Sequence, residues 1–207
     1  MKNVNFKNSM KQVIVTLLLT ALSYSGYSQV SWGPYIDVAR SGLDNRDTGL
    51  TMRSNINPSF GLVIQKDFDY LFSLRGTVGY SYKTIQGSSV TDSKKTSKLT
   101  GQYIDMIISG RFSNFDDEKK ILPYVNVGVG NSMKVFSRQK GDDSLFPAKR
   151  LQSNLPLITL GAGTGIKTDL FSQIDISVNY NRYLSSMHKD RDFHMNQFSL
   201  RLLFLLN

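Results

Sequence analysis

An all-β fold is what this sequence predicts: an eight-stranded antiparallel up-and-down transmembrane β-barrel, preceded by a cleaved signal peptide. Three observations carry the expectation. The segment 70–83 (YLFSLRGTVGYSYK) alternates strictly, with Tyr70, Phe72, Leu74, Val78, Tyr80 and Tyr82 on one face and Ser73, Arg75, Thr77, Ser81 and Lys83 on the other. Side chains alternate across a strand, so one face is apolar with aromatic ends and the other polar. The connections between such segments alternate long and short. Past residue 28 no run of apolar residues approaches the eighteen that a spanning helix needs. A membrane protein without such a helix must close its sheet, because lipid satisfies no backbone hydrogen bond.

In chain order the elements begin with a leader. Lys2, Lys7 and Lys11 make a basic start, 13–22 (VIVTLLLTAL) is an apolar run too short to span, and Gly26 and Ser28 sit at −3 and −1 of a cleavage before Gln29. Residues 1–28 are therefore expected to be a signal peptide and 29–207 the barrel. Removing the leader takes three lysines and no acid, so the net charge falls from +9 to +6. With no cysteine there is no disulfide framework and no thiolate metal site.

Strands are expected at 30–39, 57–65, 70–83, 102–112, 121–132, 155–167, 173–184 and 197–206. In the fourth, Ile104, Met106, Ile108 and Phe112 alternate with Asp105, Ser109 and Arg111. In the seventh, Ile174, Ile176, Val178 and Tyr180 alternate with Asp175, Ser177 and Asn179. The last places Phe198, Leu200, Leu202 and Phe204 opposite Gln197, Ser199 and Arg201, an apolar and aromatic segment of the kind that barrel-insertion machinery would read. The fifth and sixth are weaker, and the sixth has Gly161, Gly163 and Gly165 on one face, read as small residues facing a crowded lumen.

The connections 40–56, 84–101, 133–154 and 185–196 are long and polar, and those at 66–69, 113–120 and 168–172 are shorter. Outer-membrane barrels have short periplasmic turns and longer external loops, which sets both termini on the periplasmic side. Trp32, Tyr70, Phe72, Tyr80, Tyr82, Phe112, Tyr180 and Phe198 are the candidate aromatic girdle. Phe72 to Tyr80 at a tilt of about 40° spans roughly 20 Å along the normal, near the ~25 Å apolar band.

The polar face holds Asp37, Arg75, Lys83, Asp105, Arg111, Lys167, Asp175 and Arg201. An eight-stranded barrel is just wide enough for side chains to fill it, and charges at that depth should pair. The four long loops carry +1, +2, +3 and 0, and each short turn carries −1. Such a cationic outer surface suits lipopolysaccharide phosphates. The basic residues have no stacking platform, so nucleic acid is not an expected partner.

Enzyme signals are thin. His188 and His194 flank Lys189-Asp190-Arg191-Asp192 without metal-motif spacing, and Ser185, Ser186 and His188 lack a third group for hydrolysis. The expectation is no catalytic residue, no metal and no cofactor.

The signal end Tyr27-Ser28-Gln29, the pair Gly33-Pro34, the strand Pro123-Tyr124-Val125-Asn126-Val127-Gly128 and the terminal Phe198-Ser199-Leu200-Arg201 together resemble the PorT-like small outer-membrane β-barrel proteins of the Bacteroidota. More distantly they resemble OmpA- and OmpX-type barrels. The resemblance covers essentially all of 29–207 and implies an integral protein of the Gram-negative outer membrane; with the thin enzyme signals, the expected role is non-enzymatic, envelope-structural or interaction-based through the basic loops. One branch of the group is linked to protein secretion and gliding-associated export, and no motif here selects it. Expected partners are outer-membrane lipid and lipopolysaccharide, with envelope or secretion proteins as candidates, around a monomeric barrel. A narrow pore is the alternative, followed by a lipid-modifying enzyme and a soluble lipocalin-like ligand binder.

Overall fold

The computed structural model describes residues 30–45, 50–68, 71–90, 96–113, 119–141, 150–189 and 193–206. The expected signal peptide lies outside the described residues, as does Tyr70.

Eight long strands close on themselves. They are β1 (Val30–Asn45), β3 (Asn55–Asp67), β4 (Phe72–Ser89), β5 (Thr96–Ser113), β6 (Ile121–Gly141), β7 (Asn154–Ile166), β8 (Gln173–Tyr183) and β9 (Phe193–Leu205). Each pairs antiparallel with its neighbours in sequence, and β1 pairs with β9 from Tyr35↔Leu203 to Asn45↔Phe193, so no edge remains along the barrel wall. A short β2 (Leu50–Arg53) pairs with β4 beyond the end of β3, in a register one residue away from that of β3.

Burial is inverted relative to a water-soluble protein. Leu160 and Val129 are 60% and 63% exposed, while Arg75 and Arg111 are 2% and 0% exposed. Ile36, Leu62, Val78, Ile108, Val178 and Leu200 share the exposed apolar exterior. A continuous apolar exterior around a closed sheet is what hydrocarbon requires and water penalises. The barrel is an outer-membrane barrel, with lipid against its apolar face.

The wall is taller on one side. β4, β5 and β6 have 18, 18 and 21 residues, against 11 in β8. Much of the expected loops at 84–101 and 133–154 is therefore strand. Beyond the bilayer neither face must be apolar, so hydrogen-bonded pairing continues there without a hydropathy signature. The end holding Val30 and Leu205 is termed the turn end, and the opposite one the loop end.

Candidate functional site

The interior fills in three layers. Nearest the turn end, Arg75 of β4 and Arg111 of β5 converge on Asp175 of β8. Arg75 Nη2 donates to Asp175 Oδ2 at 2.6 Å, and Arg111 Nη2 lies 3.9 Å from Oδ1. Gln65 Oε1 accepts from Arg75 Nε at 3.1 Å and from Arg111 Nη1 at 3.3 Å, while Gln173 Nε2 donates to Asp175 Oδ1. Asp175 serves both cations. The Gln65 carbonyl and the Tyr124 ring add to it, and the ring centroid is 4.1 Å from Arg111 Cζ and 5.6 Å from Arg75 Cζ. A desolvated guanidinium over an aromatic face is favourable in its own right.

In the middle layer Lys83 Nζ donates to Asp105 Oδ1 at 2.8 Å, with the rings of Tyr103 and Tyr183 on either side at 4.9 and 5.4 Å. Arg201 Nη2 donates to Asp37 Oδ2 at 3.1 Å and stacks 4.4 Å from the Tyr35 ring. Asp37, Asp105, Arg201 and Tyr183 line a cavity of about 20 Å³, enough for a water molecule. Ser41, Asn57, Gln197 and Tyr183 continue the polar network upward, with Gln197 Nε2 donating to Ser41 Oγ at 2.9 Å and Tyr183 OH to Gln197 Oε1 at 2.9 Å.

The third layer is apolar and closes the loop end. Ile85, Leu99, Tyr103, Ile107, Leu155, Leu157, Phe193 and Met195 point inward from the wall, and Leu151 and Met187 complete the cluster from the connections. Two connecting segments are stitched across the mouth: Gln152 N donates to Met187 O at 2.9 Å and Lys189 N to Arg150 O at 2.9 Å. Lys134 Nζ and Tyr103 OH secure the same segment through the carbonyls of Leu151 and Gln152, at 2.6 and 3.2 Å.

Of the eight residues expected on the polar face, seven lie inside the barrel in these ion pairs. Lys167 does not join them. It follows the end of β7, half-exposed at the turn end, where its backbone N–H donates to Lys120 O at 2.9 Å. The apolar layer had no counterpart in the sequence expectation. Its signal is the run 104–108, in which Ile107 stands on the polar-face parity, together with Leu155 and Leu157 beside Ile158.

Gly161, Gly163 and Gly165 do face inward. Asn126 Nδ2 of β6 donates to Asn179 Oδ1 of β8 at 3.2 Å, across the bare backbone of Gly161 between them. A Cβ on Gly161 would meet both amide oxygens.

His188 is 1% exposed, with its ring 6.3 Å from that of Phe193, inside the mouth. Ser186 Oγ donates to His188 O at 2.9 Å and accepts from Phe193 N at 3.0 Å, so this hydroxyl caps a turn. Asp190 and Asp192 lie outside the described residues, and among the described residues no group of acids and histidines could hold a metal.

On the exterior, Phe72 and Phe112 pack at 5.3 Å near the turn end, with Phe68 beside Phe72 at 5.8 Å. Towards the loop end Tyr80 meets Phe60 at 5.8 Å and Tyr82 at 5.5 Å, and Tyr180 meets Phe198 at 4.9 Å. Trp32 is 49% exposed near the turn end and bridges to Leu206. Phe60, Phe68, Phe171 and Phe204 are further members of these aromatic contacts that the sequence reading did not single out.

No family profile matches the chain, and no curated protein matches it. Among solved structures, the outer membrane protein OprG from Pseudomonas aeruginosa is similar with a TM-score of 0.55 and 9% identity, over 86% of this chain and 93% of that one. Neisserial surface protein A gives 0.49 and 13%, over 86% and 98%. Ail, the attachment invasion locus protein of Yersinia pestis, gives 0.43 and 12%, over 86% and 99%. At these identities the likeness is one of fold: a small outer-membrane β-barrel.

Proposed function

We propose that the protein is a non-enzymatic outer-membrane barrel, closed to solutes, that serves the envelope through its extracellular end, as a structural element or as a surface or secretion-associated interaction partner. In this reading the loop end faces outward and the turn end the periplasm. The leader 1–28 is removed on export, and the PorT-like kinship carried by Gly33-Pro34 and 123–128 is part of the same proposal. The observation that supports it is the filling of the lumen at two levels, by the Arg75–Arg111–Asp175 cluster and by the apolar layer around Leu155 and Phe193. Ions crossing the barrel would have to displace both. The Ser186 hydroxyl bonds the backbone of His188 and Phe193, and the His188 ring lies beside Phe193, an arrangement that suits a capped turn.

Purified protein that shows heat-modifiable gel mobility, reconstituted into planar bilayers, is expected to give no current steps. Steady unit conductance from folded barrels would overturn the reading in favour of a narrow pore.

A further inference from the structure

We infer that the outward face of β2, β4, β5 and β6, immediately beyond the aromatic residues of the loop end, binds the phosphorylated headgroup of outer-leaflet lipopolysaccharide. The inference rests on the orientation proposed above.

The register places the residues. Tyr82, Gln102 and Phe136 lie side by side on the outward face, and Tyr80 OH donates to Gln102 Oε1 at 2.6 Å. Phe136 is 55% exposed at this level. Two residues further out comes Arg138, beside Thr100. Two further still, Lys98 stands directly opposite Lys140, with Gln86 and then Arg53 continuing the same row. All four cations are exposed.

Height and charge both select the occupant. At about 3.3 Å per residue and a tilt of about 40°, Arg138 lies roughly 5 Å and the Lys98 row roughly 10 Å above the aromatics. Arg138 thus falls within the headgroup layer, which adds about 5–8 Å to each side of the hydrocarbon, and the Lys98 row stands at its outer edge. Like charges directly opposite on a sheet repel, yet Lys98 and Lys140 are so placed. Among the described residues no ion pair reaches any of the four. On the four strands of this face, the described carboxylate is Asp105, inside the barrel; Asp44, at the loop end of β1, lies on another strand. A phosphate between the two ammonium groups converts the repulsion into attraction, and Arg138 can grip a second oxygen pair with its planar fork. Strands lie about 4.8 Å apart, so the row from Arg53 to Lys140 spans roughly 14 Å, room for a headgroup bearing more than one phosphate.

The test uses the full barrel, refolded in neutral detergent and titrated with labelled lipopolysaccharide. Each cation near an anionic surface contributes about fivefold in affinity, so the variant K98Q/R138Q/K140Q is expected to lose on the order of a hundredfold. Heat-modifiable mobility confirms that it is folded. Dephosphorylated lipopolysaccharide should bind the unaltered protein as weakly as the triple variant binds the intact lipid, and excess inorganic phosphate should compete poorly. Binding by the triple variant within twofold of the unaltered protein would overturn the inference. Full displacement by inorganic phosphate would also overturn it, by assigning the face to free anion. Conductance is read separately: a conducting barrel that still needs these cations for lipid sinks the sealed-barrel reading alone.

Discussion

The Asp175 carboxylate meets two buried guanidiniums, Arg75 and Arg111, in the interior of the turn end. Its removal leaves Arg75 and Arg111 facing each other across Gln65. Breaking a buried pair by deleting one partner costs about 3–5 kcal/mol, because the surviving charge is left in a medium that solvates it poorly. Asp175→Asn is therefore expected to lower the urea midpoint of barrel unfolding by about that free energy, read from heat-modifiable mobility. Adding Arg75→Met should restore part of the loss, since it removes one uncompensated cation. If D175N unfolds at the same urea concentration as the unaltered chain, the ion cluster contributes no net stability. Gly161 shows the complementary case, in which the absence of a side chain is what matters. Its bare backbone lets Asn126 and Asn179 meet over β7. Glycines at every second position were legible as a small-residue face, but the amide pair they admit needs the β6–β7–β8 register, which no local pattern encodes.

Lipid determines what each strand's outward face must be, and β8 shows it most simply. Val178 is 57% exposed between Ala162 and Leu200 on the neighbouring strands. On a water-facing sheet Val178→Arg would change stability by less than about 0.5 kcal/mol. On a lipid-facing strand near the midplane it costs about 2–4 kcal/mol. Folding into phosphatidylcholine vesicles under urea should show the larger loss, and a neutral result would place that face in water. The same physics explains which parts of the strands were legible. From Phe72 to Lys83 hydrocarbon on one side and a polar lumen on the other enforce alternation, and the strand was readable there. From Gln86 to Ser89, and from Ser137 to Gly141, the outward face lies beyond the hydrocarbon and need not be apolar, so nothing in hydropathy distinguishes pairing from coil. The inward apolar layer was hidden for a related reason. In β5, Ile107 and Tyr103 are apolar on the inner parity, and a two-valued pattern of lipid or lumen cannot represent an inner face that is itself dry.

At the scale of the whole molecule the proposed reading has the barrel closed twice, by chemically different means, which is what would distinguish a sealed barrel from a gated one. The layer near the turn end blocks by occupancy: Arg75, Arg111 and Tyr124 fill the cross-section of an eight-stranded wall. The layer at the loop end blocks by dryness, since an apolar constriction expels water and the ions that travel with it. Either suffices alone. Emptying the lower layer with R75A/R111A/D175A is therefore expected to leave planar bilayers silent in every barrel that remains folded. Opening the upper layer with L155S/F193S should also leave them silent. Only the combination of all five substitutions joins the central cavity beside Asp37 and Asp105 to both solutions, and it should give measurable unit conductance in folded barrels. Current from the lower-layer variant alone would mean that the apolar layer passes ions, and the barrel would then be a pore held shut by one salt-bridged cluster.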